Sequence, residues 1–341
     1  MRRITSDPNR VSKSEIVVRS GGLAYRVNSE WLKWPDEVRG NDCLCVNCDE
    51  EDNLYVATSS KEHPICVFSK DGRFIRSFGQ GLFDRPHCLN RTKQGTFLVA
   101  DSGNRLHTVQ EITPEGKRVR VFGTEGVPSD SGYDVHAYEK MVAAGKFSKA
   151  EQDQYLINNT SFLFELDSVK RLAKPFNRPC CMAQAPSGEY FAADGYGNCA
   201  VHKFAADGRY LKSWGGVGDS DEAYRLPHWV NIDKYDRVWV SDREHGRCHV
   251  YDTEGKQLYL FEGFWRLASS CSDDRYVYFG ELGGGIDVID LETMEIVAQF
   301  GFPGLNLFAC HSLCTDSQGN LIMSSIRGLR AIGNVLRFER I

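Results

Sequence analysis

The 341-residue sequence has no run of eighteen apolar residues and no basic cluster. The first absence excludes a membrane-spanning helix, because about 20 consecutive apolar residues are needed to cross a bilayer. The second, together with a net charge of −5, argues against a nucleic-acid partner, which would require a face rich in lysine and arginine. The first ten residues are not followed by the apolar core of a signal peptide, so we expect a cytoplasmic location.

Cysteine is abundant, with 12 residues. Without an export signal, free thiols or metal ligands are expected rather than a disulfide framework. Cys43, Cys45 and Cys48 are spaced as in a strand and are not followed by a second CxxC pair. We therefore interpret them as buried strand residues.

A strand signature recurs five times and has an acidic residue, an apolar position four residues later and an aromatic residue near its end. The copies are DGRFIRSFG (71–79), EGKRVRVFG (115–123), DGRYLKSWG (207–215), EGKQLYLFEG (254–263) and ETMEIVAQFG (292–301). An acidic residue followed by Gly, before alternating apolar residues, is typical of a hairpin turn. With the strand pattern that precedes each copy, one unit has four short strands and roughly 40 residues, as in a propeller blade.

These units predict an all-β, six-bladed β-propeller that occupies residues 1–341 as one domain. The units are 42–80, 85–123, 177–215, 225–263, 264–301 and 307–341. The last unit lacks a clear fourth strand, and we expect residues 14–27 to supply it and close the ring. Residues 124–176 interrupt the period, and their helical composition over 136–159 predicts a folded insertion that is a candidate lid.

Three histidines occupy the same position in different units. His87, His228 and His311 each lie fourteen residues before a polar loop position. The equivalent positions in ring order are Leu44 (or Cys43), His87, Cys180, His228, Leu267 and His311. Histidines on alternate blades would meet at the axis, and three imidazoles with an open position are typical of catalytic zinc. The alternative is that each histidine only packs at the rim, but the other blades show that the repeat does not require histidine.

The polar loop positions, which include Asp101, Asp194 and Asp242, are expected mainly to cap turns. The residues that follow them should project into the channel mouth. They are Arg105, Tyr196, Asn198, Arg243, Glu244 and Arg327.

Four short motifs carry a family resemblance: RPH (85–87), DGYGN (194–198), LPH (226–228) and DRE (242–244). The chain resembles the NHL-type six-bladed propeller family of peptidyl-α-hydroxyglycine α-amidating lyase and its bacterial relatives, most clearly over 83–123 and 175–263. The resemblance implies that the three histidines bind a catalytic zinc, although the third lies in ACH rather than PH. It also implies that Tyr196 is the catalytic tyrosine and that Arg243 is the arginine of the DRE loop.

Three departures from the family pattern concern substrate and calcium. Ser312 stands where an aspartate contributes to the structural calcium site of the lyase, so the resemblance does not carry calcium over. Ser59 lies near the place of a substrate-binding arginine, and Ala309 replaces a methionine. Substrate contacts should therefore differ from those of the lyase.

The resulting hypothesis is a lyase that uses one divalent transition metal, with zinc preferred, on a small polar molecule. Tyr196 would act as general acid or base, and Arg243 would hold an anionic group. Cys180 is a further candidate, as a fourth ligand, a nucleophile or simply a buried small residue, and Asp194, Glu244, Arg105 and Arg327 complete the candidate site. Two alternatives stay open: a hydrolase of an amide, ester or lactone that uses metal-bound hydroxide, and a non-catalytic NHL binding platform.

Overall fold

The computed structural model describes residues 16–158, 160–301, 308–326 and 334–341. The strands in these ranges, in chain order, are β1 (Ile16–Ser20), β2 (Leu23–Asn28), β3 (Cys43–Cys48), β4 (Leu54–Thr58), β5 (Ile65–Phe68), β6 (Phe74–Phe78), β7 (Pro86–Arg91), β8 (Phe97–Asp101), β9 (Val109–Ile112), β10 (Arg118–Phe122), β11 (Cys181–Gln184), β12 (Tyr190–Asp194), β13 (Ala200–Phe204), β14 (Tyr210–Gly215), β15 (Pro227–Ile232), β16 (Val238–Asp242), β17 (Arg247–Tyr251), β18 (Gln257–Glu262), β19 (Leu267–Ser272), β20 (Tyr276–Glu281), β21 (Gly285–Asp290), β22 (Ile296–Gly301), β23 (Ser312–Thr315), β24 (Leu321–Ser324) and β25 (Val335–Arg340). The helices are α1 (Ala137–Ala143), α2 (Lys149–Ile157) and α3 (Phe162–Leu166).

The strands form six antiparallel sheets, which we call blades one to six. Blades one to five are β3–β6, β7–β10, β11–β14, β15–β18 and β19–β22, and blade six contains β23–β25. The first strands of the blades contact one another in a closed ring, from β3 through β7, β11, β15 and β19 to β23 and back to β3. The predicted six-bladed propeller is therefore confirmed.

Blade six has five strands, in the order β1-β2-β25-β24-β23. We expected the stretch 14–27 to be one strand. Its described part, residues 16–27, turns back on itself, so that β2 pairs with β25 and β1 pairs with β2. Gly21 and Gly22 make this turn with φ of 54° and 79°. A Cβ atom on Gly21 would lie 1.8 Å from the carbonyl oxygen of Val297, so only glycine lets the hairpin pack against blade five.

Large side chains between blades form the core. The second strands β4, β8, β12 and β16 are buried along their whole length because a neighbouring blade covers each face. Tyr55 of blade one packs on Phe97 of blade two with ring centroids 4.4 Å apart, and Phe122 packs on Tyr190 of blade three at 5.1 Å. Such aromatic pairs stabilise the ring beyond their burial.

The segment between blades two and three contains all three helices of the described ranges, which confirms the partly helical insertion. Helix α2 begins at a capping box between Ser148 and Glu151. Tyr138, Phe147 and Phe164 form a small aromatic cluster of the insertion itself, with centroid separations of 5.0–5.9 Å. Within the described ranges, no helix combines the length and apolar character needed to cross a membrane.

Closure of blade six through β2 can be tested at Tyr25, which is fully buried and packs edge-on against Phe300 and Phe338 at 5.4 and 6.4 Å. Tyr25→Ala should reduce the free energy of unfolding by about 3–5 kcal/mol, since it removes a large buried ring. The matched control Tyr259→Ala, at a side chain that is 44% exposed, should change it by about 0.5 kcal/mol or less. Equal losses in urea unfolding would contradict the closure described above.

Candidate metal centre

The three histidines lie where the inner strands of blades two, four and six begin. The strand register shifts between Pro86 and Cys88 in blade two and between Pro227 and Trp229 in blade four, so His87 and His228 each occupy a β-bulge. His311 immediately precedes β23, and its backbone N–H donates to Ser324 at 2.9 Å. A bulge changes the direction of a side chain without ending the strand, which turns the imidazoles of His87 and His228 into the channel.

Each imidazole donates a hydrogen bond to the next blade. The bonds join Nδ1 of His87 to the carbonyl of Cys180 (2.9 Å), Nδ1 of His228 to that of Ala268 (2.5 Å) and Nδ1 of His311 to that of Leu44 (2.6 Å). A carbonyl only accepts, so Nδ1 carries the proton and Nε2 keeps its lone pair. In metalloproteins, a hydrogen bond of this kind, from the nitrogen that does not bind the metal, orients the histidine ligands.

The axial residue of blade five is Ala268, so one prediction was wrong. We expected Leu267 at the axial position, but Leu267 pairs with Glu281 and the bulge falls on Ala268. The first hairpin of blade five is one residue shorter than those of blades two and four, so the count of fourteen residues points to the wrong residue. In blade one, where two positions were open, Leu44 occupies the bulge between Cys43 and Cys45.

The three rings converge. Their centroids are 4.7 Å apart for His87 and His228, 4.9 Å for His87 and His311, and 5.1 Å for His228 and His311. Burial lowers the pKa of His87 and His228 well below the usual value, and burial lowers the pKa of His311 to about 3. All three imidazoles are therefore neutral near pH 7, as metal binding requires.

These residues fit a metal ion. Within the described residues, the histidines are the one group of three or more possible ligands whose donor atoms lie within 4.8 Å of one another. The hydroxyl of Tyr196 lies 3.3 Å from Nε2 of both His87 and His228, and its single proton can serve only one of them. Lone pairs that converge in a buried site without enough donors are stabilised by a cation.

Tyr196 and Arg243, from neighbouring blades, meet above the histidines. The guanidinium of Arg243 donates to the Tyr196 hydroxyl at 3.2 Å and to the carboxylate of Glu244 at 2.7 Å. Arg266 donates to the same carboxylate at 2.8 Å. Burial would raise the pKa of Glu244, but the two guanidinium charges outweigh this effect and lower it, so Glu244 is ionised and links both arginines.

A cavity of about 260 Å³, here called the mouth cavity, opens above this group. Its charged lining is Arg85, Arg178, Arg243, Arg266 and Glu165. Arg85 is exposed, and its guanidinium has no hydrogen-bond or ion-pair partner among the described residues. Even with Glu244 counted, four cations face two anions, so the mouth cavity favours an anionic ligand.

The insertion covers one side of the mouth cavity, which Phe162, Glu165 and Leu166 of α3 line. The ring of Phe162 lies 5.4 Å from the guanidinium of Arg243. Asp167, directly after α3, accepts from Arg225 of blade four at 3.1 Å. Contacts with the propeller thus hold the insertion beside the three histidines.

Three arginines of the mouth cavity were missed from the sequence although a signal exists. Arg85, Arg178 and Arg266 each lie two residues before the axial residue of their blade, which is His87, Cys180 or Ala268. Arg266 escaped notice because the axial residue of blade five was placed one position too early. Phe162 carries no such signal, since its contact depends on how the insertion docks.

Three predicted site residues that the structure describes lie outside the ligand group. The sulfur of Cys180 does not join the histidine nitrogens, and burial raises the pKa of this thiol to about 12. Asp194 accepts from the backbone N–H of Asn177 at 3.0 Å and so closes a loop of its own blade. Arg105 is exposed and does not line the mouth cavity. Arg327 lies outside the described residues.

The three departures from the family pattern are near the site. Ser59 lines a neighbouring cavity of about 440 Å³, which shares Arg85 and Arg178 with the mouth cavity. Ala309 is buried. The hydroxyl of Ser312 is also buried and accepts from the backbone N–H of Val46 at 3.3 Å.

Comparison with known proteins identifies relatives among NHL-repeat proteins and amidating lyases. No protein-family model matches the chain. It is 25% identical to NHL repeat-containing protein 3 of Homo sapiens over 245 residues, which is 69% of this chain and 59% of that protein. It is 26% identical to a probable peptidyl-α-hydroxyglycine α-amidating lyase of Caenorhabditis elegans over 241 residues, 70% of this chain and 57% of the other. The matched region thus spans less than two thirds of these relatives.

Solved structures with the same fold include a virginiamycin B lyase from Staphylococcus aureus, with a TM-score of 0.55 at 12% identity over 88% of this chain and 81% of that one. A chain of a nidogen–laminin complex matches with a TM-score of 0.54 at 14% identity, over 83% and 91% of the two chains. At these identities the likeness concerns the fold alone. The chain is therefore a six-bladed β-propeller whose homologues include NHL repeat-containing protein 3 and peptidyl-α-hydroxyglycine α-amidating lyase.

Proposed function

We propose that this protein is a metal-dependent lyase that cleaves the C–N bond of a small carbinolamide with an anionic group. The observation that carries the proposal is the convergence of three neutral imidazoles beside a tyrosine hydroxyl that contacts two of them. Similarity to amidating lyases supports the same reaction class.

His87, His228 and His311 would hold the metal through Nε2, because Nδ1 is used by a carbonyl in each case. Zinc is the first choice, since imidazoles with an open position are typical of its catalytic sites. A bound divalent ion would supply Lewis-acid polarisation of a substrate oxygen.

Tyr196 would be the general base. Its hydroxyl is within hydrogen-bond reach of two ligand nitrogens and therefore adjacent to the place where substrate meets the metal. Arg243 donates to the phenol oxygen at 3.2 Å and would stabilise the phenolate, the form of Tyr196 that can accept a proton. Glu244 fixes that guanidinium from the other side at 2.7 Å.

The anionic group of the substrate would be held by mouth-cavity arginines. Arg178 and Arg243 already have acidic partners in Glu165 and Glu244, whereas Arg85 has none among the described residues. Arg85 is therefore free to bind a carboxylate, which guanidinium groups can contact with two hydrogen bonds.

The reaction then balances without another reactant. Tyr196, as the phenolate, takes the proton of the substrate hydroxyl, the oxygen forms a carbonyl with its carbon, and the C–N bond breaks. The leaving amide nitrogen receives the proton, and the products are an amide and an aldehyde. The insertion would act as a lid that limits water at this step, since α3 forms one wall of the mouth cavity.

A non-catalytic binding role is the alternative, since the name of one relative refers to its NHL repeats and to no reaction. A binding platform would keep the fold and the cavities but show no turnover. A hydrolase would differ in its products, so the experiments below separate the three functions.

Metal content tests the centre directly. Protein purified without a histidine tag and supplied with zinc should contain about one equivalent per chain by elemental analysis, because three imidazoles form a ligand set. His87→Ala and His228→Ala should lose it, while the control His136→Ala, at an exposed residue of the insertion, should keep it. Folded wild-type protein that binds no zinc, iron or manganese would exclude the metal centre.

Product analysis tests the reaction. With N-benzoyl-α-hydroxyglycine the wild type should release benzamide and glyoxylate. Tyr196→Phe should reduce kcat about 10²–10⁴-fold with zinc content unchanged, the usual range for loss of a general base. Tyr235→Phe, at a half-exposed ring, is the matched control. Benzoate instead of benzamide would indicate hydrolysis, and unchanged activity of Tyr196→Phe would refute the assigned base.

The role of Arg85 predicts a change in KM. Arg85→Gln should raise KM for the anionic substrate about tenfold to a hundredfold, because a hydrogen bond to a charged group contributes about 1.5–3 kcal/mol. The matched control Arg73→Gln, at a side chain that is 78% exposed, should have no effect. With the uncharged carboxamide of the same substrate, Arg85→Gln and the wild type should have the same KM. An equal rise in KM for both substrates would show that Arg85 does not bind the anion.

A further inference from the structure

Thiols from three successive blades lie next to the metal centre. Cys45, Cys88 and Cys181 each directly follow an axial residue, and all three are fully buried. The thiol of Cys45 accepts from the backbone N–H of Leu89 at 3.2 Å, and the thiol of Cys181 lies 3.6 Å from the carbonyl of Val230. Each sulfur therefore points to the inner strand of the next blade.

Two of these sulfurs are in contact. The Sγ atoms of Cys88 and Cys181 lie 3.1 Å apart, between β7 and β11. A disulfide has an S–S bond of about 2.05 Å, so the two atoms would need to approach by about 1 Å. Among the described residues, cysteines do not enter any group of three or more converging metal ligands. The geometry thus favours a bond between two sulfurs over a thiolate metal site.

A cavity at the far end of the channel lies one side chain away from this pair. This cavity, of about 220 Å³, is lined by Asn90, Asn231 and Ser270. The side-chain amide of Asn90 donates to Sγ of Cys181 at 3.3 Å, so Asn90 separates the cavity from this thiol. The hydroxyl of Ser270 is buried and lacks a hydrogen-bond partner, as does the amide nitrogen of Asn231, so this cavity has polar groups ready to bind a small polar molecule.

We propose that Cys88 and Cys181 are a modification site, where hydrogen peroxide converts the two thiols into a disulfide. Peroxide oxidises the thiol of Cys181 to a sulfenic acid and releases one water. The sulfur of Cys88 then attacks the sulfenic sulfur, the S–S bond forms and a second water leaves. One peroxide is consumed and the two thiol hydrogens end in water.

The disulfide would restrict the movement of the strands next to the metal centre. His87 directly precedes Cys88, and Cys180 directly precedes Cys181. Nδ1 of His87 donates to the carbonyl of Cys180 at 2.9 Å. A covalent link between the following residues would hold both strands at that contact. The oxidised protein would therefore keep the imidazole of His87 fixed by the link as well as by the hydrogen bond.

Peptide mapping tests the proposal and does not depend on catalysis. The full-length, zinc-loaded protein is exposed to hydrogen peroxide, alkylated under denaturing conditions without reductant and digested. Mass spectrometry should find a peptide pair joined through Cys88 and Cys181, two hydrogens lighter than the separate peptides, and dithiothreitol should release it. The control Cys248→Ser, at a buried thiol of blade four without a cysteine neighbour in contact, should form the same link.

Cys88→Ser should abolish the link and leave Cys181 as sulfenic or sulfinic acid, provided that circular dichroism shows the wild-type fold. If this variant does not fold, the wild-type map alone decides. Free Cys88 and Cys181 after peroxide treatment, a sulfinic acid at Cys181 without the link, or a link from either residue to Cys45 would overturn the proposal.

Discussion

The hydrogen bonds from each histidine to the carbonyl of the next blade are the constraint on which the site depends. They fix which nitrogen carries the proton, and so direct three lone pairs to one point. The bond from His311 to Leu44 joins blade six to blade one. Ring closure and the histidine group are therefore coupled, because the third imidazole is oriented only when the first and last blades meet.

The charge of the mouth cavity depends on the same hydrogen bonds, because they go with neutral imidazoles. Because the imidazoles are neutral, the arginines supply the positive charge of the mouth cavity. Each buried guanidinium is stabilised by an acidic partner. Glu244 serves Arg243 and Arg266, while Glu165 of the insertion lies 3.5 Å from Arg178. The insertion thus forms one side of the mouth cavity and also supplies a carboxylate that pairs with an arginine. What remains is a net positive cavity beside the three histidines, which favours an anionic ligand over a neutral one.

Much of this could be predicted from the sequence because propellers repeat. The spacing of fourteen residues found His87, His228 and His311, and the strand signatures predicted six blades with an insertion. The same method failed where the period changes: a hairpin one residue shorter moved the axial position from Leu267 to Ala268 and concealed Arg266. The contact of Phe162 with Arg243 could not be predicted, because the docking of an insertion leaves no local pattern.

We propose that the three Nε2 atoms share one ion, and anomalous diffraction from crystals grown with zinc can show this ion. We expect one peak at the zinc edge about 2.0–2.1 Å from Nε2 of each histidine, the usual zinc–nitrogen distance. Each Nδ1 should still contact its carbonyl. No peak between the three rings, or a peak at the Nδ1 atoms, would show that the three histidines do not share an ion through Nε2.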